Sequence, residues 1–207
     1  MSISVLYLGG TGTISAACVR ESLALGQAVT ILNRGRTSVR PVPDGVEVLR
    51  ADLDDTDALR AVLAGRRFDV VCDFLSFTTD RLARNVDLLR GRTGQYVFIS
   101  SASAYAKPVA SLPIRESTPL RNPFWQYSRD KIACEDLLVQ AFRDEGFPAT
   151  IVRPSHTYDE AFVPLIGGWT ALARLIAGRP AVVPGDGTSL WTLTHASDFA
   201  YCFARLL

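Results

Sequence analysis

The chain has 207 residues, which is enough for one α/β domain with a substantial core and too few for two full domains. Hydrophobic residues make up 48% and charged residues 21%, and the net charge of +1 argues against a nucleic-acid or membrane-surface partner. Four widely spaced cysteines and two histidines make a metal site unexpected, and the apolar N-terminal run is too short for a membrane span and lacks the basic region of a signal peptide. We therefore expect a soluble, cytoplasmic protein.

Almost continuous apolar runs alternate with helical patterns through the first 154 residues. Such runs are typical of strands buried on both faces, and they occur at 3–8, 28–32, 46–49, 69–74, 95–100 and 149–153. Helical periodicity occurs between them, at 12–25, 55–64, 80–90 and 123–145. Asn122 is predicted to cap the last helix, with Pro123 in its first turn and Gly146 at its end. The alternation predicts an α/β fold with a doubly wound parallel sheet, a Rossmann-like architecture.

The pattern changes after residue 154. A helix is predicted at about 166–178, a turn at 184–187, a short strand at 190–194 and a final helix from Ser197. The chain stops inside that last helix without a helix-stop signal, so we expect the C-terminal substrate segment of a longer parent sequence to be truncated.

A glycine-rich turn, Gly9-Gly10-Thr11-Gly12-Thr13-Ile14, follows the first predicted strand and opens the first helix. Glycines let the backbone turn tightly and approach a pyrophosphate, which then rests on the amide groups and the positive end of the helix. Because the turn lies directly after an apolar N-terminal strand, it predicts a dinucleotide site; the alternative is a turn that only needs flexible residues.

The residues after the second and third strands bear on which dinucleotide is bound. Asn33 ends the second strand and Arg34 and Arg36 follow, where an acidic residue would instead hold the ribose hydroxyls of NAD. This set suits a 2′-phosphate, so NADP is predicted in preference to NAD, which stays the alternative. Asp52 and Leu53 follow the third strand and are predicted either to contact the adenine or to belong to the cap of the next helix.

Three residues carry the predicted chemistry. Tyr127 and Lys131 are one helical turn apart, and an ammonium beside a phenol lowers the pKa of the phenol, giving a proton donor and acceptor near neutral pH. Ser101 follows the fifth strand, at the edge of the sheet where ligands bind, and its hydroxyl can hydrogen-bond a substrate oxygen. Each feature alone also has an ordinary reading, a surface lysine on an amphipathic helix or a plain serine-rich turn.

Together these motifs resemble a known superfamily. The Gly-Gly-x-Gly turn, the Ser-Ser-Ala-x-x-Tyr strand end at 100–105, Tyr127-x-x-x-Lys131 and Arg153-Pro154 occur in the order and spacing of the extended short-chain dehydrogenase/reductases. Within that superfamily the chain is similar to the NAD(P)-dependent epimerase/dehydratase group over essentially all of its length. The resemblance implies that Ser101 orients the substrate, Tyr127 is the acid/base, and Lys131 holds the nicotinamide ribose while tuning Tyr127. The expected cofactor contacts are then Gly9, Thr11, Gly12, Thr13, Ile14, Asn33, Arg34, Arg36, Asp52, Leu53, Phe74, Tyr127, Lys131, Pro154, Ser155 and His156.

The resemblance also implies a domain organisation and a reaction. Residues 1–154 would form the NAD(P)-binding Rossmann domain, and 155–207 would begin a substrate-binding segment packed on the same domain. The reaction would be a reduction, epimerisation or dehydration of a small molecule, such as a sugar nucleotide or another hydroxy or keto compound. A homodimer through the helices at 80–90 and 123–145 is plausible by the same resemblance.

The alternative function is a catalytically silent protein of the same fold. Relatives of this kind include regulators that sense dinucleotides and chloroplast stem-loop-binding proteins, whose turn the Asn33-Arg34-Gly35 segment resembles. The complete set of Ser101, Tyr127 and Lys131 favours the enzyme, and the net charge of +1 disfavours RNA binding.

Overall fold

Strands and helices alternate in the structure, a computed structural model that describes residues 2–35 and 39–207. The strands of the main sheet are β1 Ser4–Leu8, β2 Ala28–Asn33, β3 Glu47–Arg50, β4 Phe68–Asp73, β5 Thr93–Ile99 and β6 Ala149–Val152. The helices between them are α1 Thr13–Ala24, α2 Thr56–Leu63, α3 Thr79–Leu89 and α4 Gln126–Glu145. The later elements are β7 His156–Tyr158, α5 Gly168–Ile176, β8 Leu193–His195 and α6 Ala196–Leu206. Within the described residues, no helix is long and apolar enough to cross a membrane.

The main sheet is parallel and has the strand order β3-β2-β1-β4-β5-β6. The direction of strand succession reverses between β1 and β4, whose last residues, Leu8 and Asp73, are paired in register. In doubly wound sheets, ligands bind in the crevice outside the carboxyl ends of the strands at this reversal. The prediction of a doubly wound, Rossmann-like parallel sheet is confirmed.

Both faces of the sheet are covered. Side chains alternate along a strand, so Leu6 and Leu8 of β1 enter the core that is closed by α2, α3 and α4, whereas Val5 and Tyr7 enter the core that is closed by α1 and α6. All four of these side chains are essentially inaccessible to solvent. Burial on both faces is the reason why the strand sequences are continuously apolar instead of alternating.

The C-terminal elements attach to α1 and to the segment after β2. Strands β7 and β8 form a separate parallel pair, and α6 packs on α1, where Arg205 Nη1 donates to Glu21 Oε1 at 2.7 Å. Asp159, just after β7, accepts from Arg40 through Nε at 2.5 Å and Nη2 at 2.8 Å. These ion pairs join the residues after β6 to α1 and to the segment after β2.

The predicted start of α4 was wrong. The helix begins at Gln126, so Asn122 does not cap it and Pro123 lies outside it. The Asn122 side chain instead donates to the carbonyl of Ser103 at 2.8 Å and to Ser128 Oγ at 3.2 Å, which fastens the preceding loop to the helix. The predicted end is confirmed, because Gly146 has a φ of 67° and closes the helix in the left-handed conformation.

The region after β6 was predicted less completely. The strand expected at 190–194 is shorter and lies at Leu193–His195, and its partner β7 was not predicted. Both strands have three residues and pair across more than thirty intervening positions, so periodicity within either segment cannot reveal them. The last helix begins at Ala196, one residue before the predicted start, with His195 as its cap: Ser197 N donates to His195 Nδ1 at 3.3 Å.

Gly10→Ala is expected to lower the free energy of unfolding more than Gly26→Ala does. Both glycines have positive φ, 101° at Gly10 and 75° at Gly26, so a side chain at either position is strained, by about 1–2 kcal/mol. Only at Gly10 does the added Cβ meet a neighbour, Ile31 Cγ2 at 2.7 Å, whereas nothing lies within 4 Å at Gly26. Urea unfolding of both variants measures the difference, and equal losses would contradict the packing argument.

Candidate active site

A cleft of about 670 Å³ opens at the carboxyl ends of the strands. Its size suits a large organic ligand. It brings together nearly all the predicted site residues that the structure describes, namely Gly9, Thr11, Gly12, Thr13, Ile14, Asn33, Arg34, Asp52, Leu53, Phe74, Ser101, Tyr127, Lys131, Pro154 and Ser155.

Two predicted contacts are not part of this set. Arg36 lies outside the described residues. His156 is described, but it is not among the residues that line the cleft. Its ring packs edge-on against Trp191, with centroids 5.3 Å apart, and lies 6.4 Å from the ring of Phe162. The position just after β6 placed His156 near the site, whereas pairing within β7 and β8 turns its ring toward other aromatic residues.

The glycine-rich turn has the geometry of a phosphate cradle. Gly9 and Gly10 have φ of 113° and 101°, and Gly9 N donates to Leu32 O at 2.9 Å, which closes the turn against β2. Gly12 precedes the first residue of α1 and has an ordinary φ of −81°, so its backbone alone does not require glycine. An added Cβ at Gly12 would meet only Ser15 Oγ, at 3.2 Å. The space beside Gly12 and the positive end of α1 therefore fit a pyrophosphate.

The opposite end of the cleft, beside Asn33, carries one positive and one negative side chain, Arg34 and Asp52. Arg34 Nη1 lies 3.9 Å from Asp52 Oδ2, and both side chains are well exposed to solvent, so their attraction is weak. Asn33 Oδ1 accepts from Gly35 N at 2.9 Å and from Arg50 Nη1 at 3.2 Å. Arg50, at the end of β3, thus holds the Asn33 side chain without itself lining the cleft.

Asp52 lines the cleft and is not the cap of α2. That role belongs to Asp55, whose side chain accepts from Ala58 N at 3.0 Å. Asp52 Oδ1 accepts from Asp54 N at 3.1 Å, so it shapes the turn after β3 while its other oxygen faces Arg34.

Lys131 is buried at the centre of the cleft wall, with only 2% of its surface exposed. Its ammonium donates to two backbone carbonyls, Ser76 O at 2.8 Å and Ile99 O at 2.7 Å. It also lies over the rings of Phe77 and Phe98, 4.7 Å and 4.6 Å from their centroids. Burial lowers the pKa of Lys131 to about 8, against the opposing effect of Asp73, Cys134 and Glu135.

The prediction that Lys131 lowers the pKa of Tyr127 was wrong for this structure. Burial raises the pKa of Tyr127, and hydrogen bonding with Ser101 opposes that rise without cancelling it. The reason is the direction of the lysine: its ammonium is held by the two carbonyls and lies 5.8 Å from the centre of the tyrosine ring. Tyr127 is therefore a neutral phenol at neutral pH.

Ser101 is held by other hydroxyl groups. Its Oγ accepts from Ser103 N at 3.1 Å and lies 2.9 Å from Ser103 Oγ, which in turn accepts from Ser128 Oγ at 2.8 Å. Asn122 completes the group through its bonds to Ser103 and Ser128. The group links the end of β5 to the first turn of α4, so Ser101 and Tyr127 keep a fixed relation. Nothing in the sequence marked Ser103 and Ser128 beyond the serine-rich composition of the strand end.

A buried ion pair joins α4 to the end of β6. Arg153 donates to both carboxylate oxygens of Glu135, through Nε at 2.9 Å and Nη2 at 2.6 Å, and its Nη1 donates to Tyr105 OH at 3.1 Å. Ser100 Oγ donates to the same carboxylate. Glu135 is one helical turn beyond Lys131, and continuing the spacing from Tyr127 by four more residues would have found it.

We expect the stability contributed by Lys131 to rise between about pH 8 and pH 10.5. The folded pKa of about 8 lies below the ordinary 10.5, so within this window the unfolded chain binds a proton that the folded protein has released. The free energy of unfolding of the parent, relative to that of Lys131→Met, should therefore increase as the pH rises from about 8 to 10.5. Urea unfolding across this range measures the difference, and Lys107→Met corrects for the loss of one positive charge. A difference that does not vary with pH would contradict the prediction.

Almost the whole chain matches a known protein family. Residues 5–207 match the NAD dependent epimerase/dehydratase family. The chain belongs to that family. A 2′-dehydrokanamycin reductase of Streptomyces kanamyceticus is 31% identical over 213 residues, covering 100% of this chain and 58% of the relative. A chloroplast stem-loop binding protein of 41 kDa from Arabidopsis thaliana is 27% identical over 98% of this chain and 54% of its own length.

A solved structure shows the same fold. The crystal structure of dTDP-glucose 4,6-dehydratase from Bacillus anthracis, in complex with NAD, superimposes with a TM-score of 0.84 at 18% identity and covers 100% of this chain and 72% of the dehydratase. The chain thus spans little more than half the length of the curated relatives and less than three quarters of this dehydratase.

Proposed function

We propose that the protein is an NAD(P)-dependent enzyme that transfers hydride at a hydroxyl or carbonyl carbon, as a reductase, epimerase or dehydratase. The observation that carries this proposal is that Ser101, Tyr127 and Lys131 line the same cleft as the glycine-rich turn. A protein that only binds a dinucleotide needs the turn, but it does not need an acid/base group beside it. Family membership supports the same class of chemistry.

Each residue then has a role that follows from its contacts. A nicotinamide bound in this cleft would supply or accept the hydride, and the residues that line the cleft would hold it next to the substrate. Lys131 offers the third hydrogen of its ammonium to the nicotinamide ribose, because the other two are committed to Ser76 O and Ile99 O. Ser101 donates to the substrate oxygen, and its own position is fixed by Ser103.

Tyr127 acts in this scheme as a proton donor. Burial raises its pKa, so the phenol carries its proton at neutral pH and can deliver it to the oxygen of a carbonyl that is being reduced. The reverse reaction, oxidation of an alcohol, needs the phenolate and is therefore favoured at higher pH. The protonated phenol thus favours the rate of the reducing step over that of the oxidising step near neutral pH.

The substrate is proposed to be a sugar or sugar nucleotide, or another compound with a hydroxyl or keto group. The reductase from Streptomyces is named for a keto aminoglycoside, and the dehydratase from Bacillus is named for dTDP-glucose. We propose that residues 155–207 begin the substrate-binding part and that residues 1–154 bind the cofactor. A homodimer through α3 and α4 belongs to the same proposal, supported by Val139 and Phe142, which α4 exposes.

A second candidate function is binding without catalysis. The similarity to the chloroplast stem-loop binding protein supports it. The balanced charge of the whole chain, +1, weighs against a phosphate-rich partner such as RNA.

Tyr127→Phe should reduce turnover by roughly two to four orders of magnitude, because it removes the proton donor and keeps the ring. Cofactor affinity should stay almost unchanged, since Lys131 keeps its position. Oxidation of NADPH or NADH in the presence of keto sugars measures net reduction, product analysis by NMR measures epimerisation or dehydration of UDP-glucose and dTDP-glucose, and fluorescence titration measures affinity. Tyr7→Phe on β1 is the matched control: Tyr7 lies in the core under α1 and α6 and does not line the cleft, so this variant should turn over like the parent. Full activity in Tyr127→Phe, or no turnover of any probe by the parent, would favour the binding protein.

NADP(H) is proposed to bind more tightly than NAD(H), because Arg34 lines the cleft beside Asn33 and can meet the 2′-phosphate with charge-assisted hydrogen bonds. Arg34→Ala should weaken binding of NADP(H) and leave that of NAD(H) nearly unchanged. Calorimetric titration with both cofactors tests this, with Arg20→Ala on the exposed side of α1 as the control for charge. Equal affinities for the two cofactors in the parent would rule out the preference.

A further inference from the structure

A buried carboxylate lies at the end of β4, behind the wall of the cleft. Asp73 has no exposed surface, and each of its two oxygens is fully used. Oδ1 accepts from Leu75 N and Ser76 N, both at 2.9 Å. Oδ2 accepts from three side chains, Ser76 Oγ at 2.5 Å, Asn85 Nδ2 at 3.2 Å and Tyr96 OH at 2.5 Å.

These hydrogen bonds fold the turn that follows β4. The two backbone amides that donate to Asp73 belong to Leu75 and Ser76, two and three residues further along the chain. The carboxylate therefore holds residues 74–76 in a turn around itself. The carbonyl oxygen of Ser76, the last residue of this turn, accepts from Lys131 Nζ at 2.8 Å. The position of the lysine ammonium therefore depends on a turn that Asp73 shapes.

The charge of Asp73 also faces Lys131. All five groups that donate to the carboxylate are neutral, so none of these bonds cancels its charge. Other titratable groups around Lys131 come from α4 itself: Cys134, Tyr127 and Glu135. Glu135 is already paired with Arg153, which leaves Asp73 as the buried negative charge from the sheet that favours the ammonium form.

We propose that Asp73 is a positioning residue for Lys131: it shapes the turn that presents the Ser76 carbonyl, and its buried charge keeps the ammonium in place beside Tyr127. The proposal rests on the proposed function, in which Lys131 holds the nicotinamide ribose. Asp73 touches neither cofactor nor substrate in this scheme and acts only through the lysine.

The state of Lys131 can be measured directly because the chain contains only two lysines, Lys107 and Lys131. NMR of protein labelled with ¹³C at lysine Cε gives one titrating signal for each, and Lys107→Arg assigns them. In Asp73→Asn, the pKa of Lys131 should fall by about one unit or more from the parent value, because the opposing charge is lost. An unchanged titration of Lys131 in a folded Asp73→Asn would overturn the proposal.

Two matched variants separate charge from packing. Asp69→Asn makes the same substitution on the same strand, but Asp69 is exposed and accepts from Ser4 N at 2.8 Å, so Lys131 should titrate as in the parent. Tyr96→Phe removes one hydrogen bond to Asp73 without changing its charge, so the protein should lose some stability while the pKa of Lys131 stays close to that of the parent. A fall in Tyr96→Phe as large as in Asp73→Asn would show that packing, not charge, controls the lysine.

If Asp73→Asn does not fold, the double variant Asp73→Asn/Lys131→Met decides the matter. A buried ammonium without its opposing charge is the main cost of the single change, so removing both charges should restore folding. If neither the single nor the double variant folds, Asp73 acts only by shaping the turn and not through its charge on Lys131, which overturns the proposal.

The cofactor provides a separate readout. The pH above which NADPH affinity falls should move down in Asp73→Asn by the same amount as the pKa of Lys131, and affinity well below that pH should be nearly normal. A uniform loss at every pH would contradict the proposal. A parent protein that binds no dinucleotide would remove the proposed function, yet the lysine titration would still report on Asp73.

Discussion

The buried ammonium of Lys131 constrains the centre of the molecule. A cation with 2% of its surface exposed must be surrounded by acceptors, and two of these are the backbone carbonyls of Ser76 and Ile99. One belongs to the turn after β4 and the other ends β5, so a single side chain from α4 fixes the helix against two neighbouring strands. Tyr127 lies on the same helix, so the contacts that fix Lys131 also fix the position of Tyr127 in the cleft.

Polar groups that support this arrangement are themselves anchored to separate elements. Glu135 ties α4 to Arg153 at the end of β6, and the serine group around Ser103 ties the first turn of α4 to the end of β5. Buried ion pairs of this kind add little net stability, but breaking one leaves an uncompensated charge. Their effect here is to allow one orientation of α4 over the sheet. The proposed proton transfer from Tyr127 to a substrate oxygen needs such a unique orientation.

The sequence predicted the sheet, the glycine-rich turn and most of the cleft because these depend on local patterns. Continuous apolar runs identify strands buried on both faces, and Gly9 and Gly10 occupy positions where φ is positive. What the sequence could not show depends on contacts between distant segments. The short pairing of β7 with β8 places the His156 ring against Trp191, and Asn122 bonds to Ser103 and Ser128 instead of capping α4.

The pKa of Tyr127 illustrates the same limit. Its spacing from Lys131 correctly placed both side chains on one face of the helix. The direction of the pKa change depends instead on the burial of Tyr127 and on the backbone carbonyls to which the ammonium donates. Asp73 and Arg50 were missed for a related reason. Each lies at the end of a strand, where the sequence shows a common polar residue, and only the folded sheet reveals that Asp73 is fully buried and that Arg50 donates to the side chain of Asn33.

The helix α4 carries Tyr127, Lys131 and Glu135 at equal intervals of four residues. Each successive residue of an α-helix turns by about 100°, so one residue inserted or deleted between them would swing every later side chain away from its partner. Substitutions on the solvent side of α4 leave this phase intact, whereas a change of length destroys it at once. The outer surface of this helix can therefore change without moving Tyr127, Lys131 and Glu135 relative to one another, but the number of residues from Tyr127 to Glu135 has only one workable value.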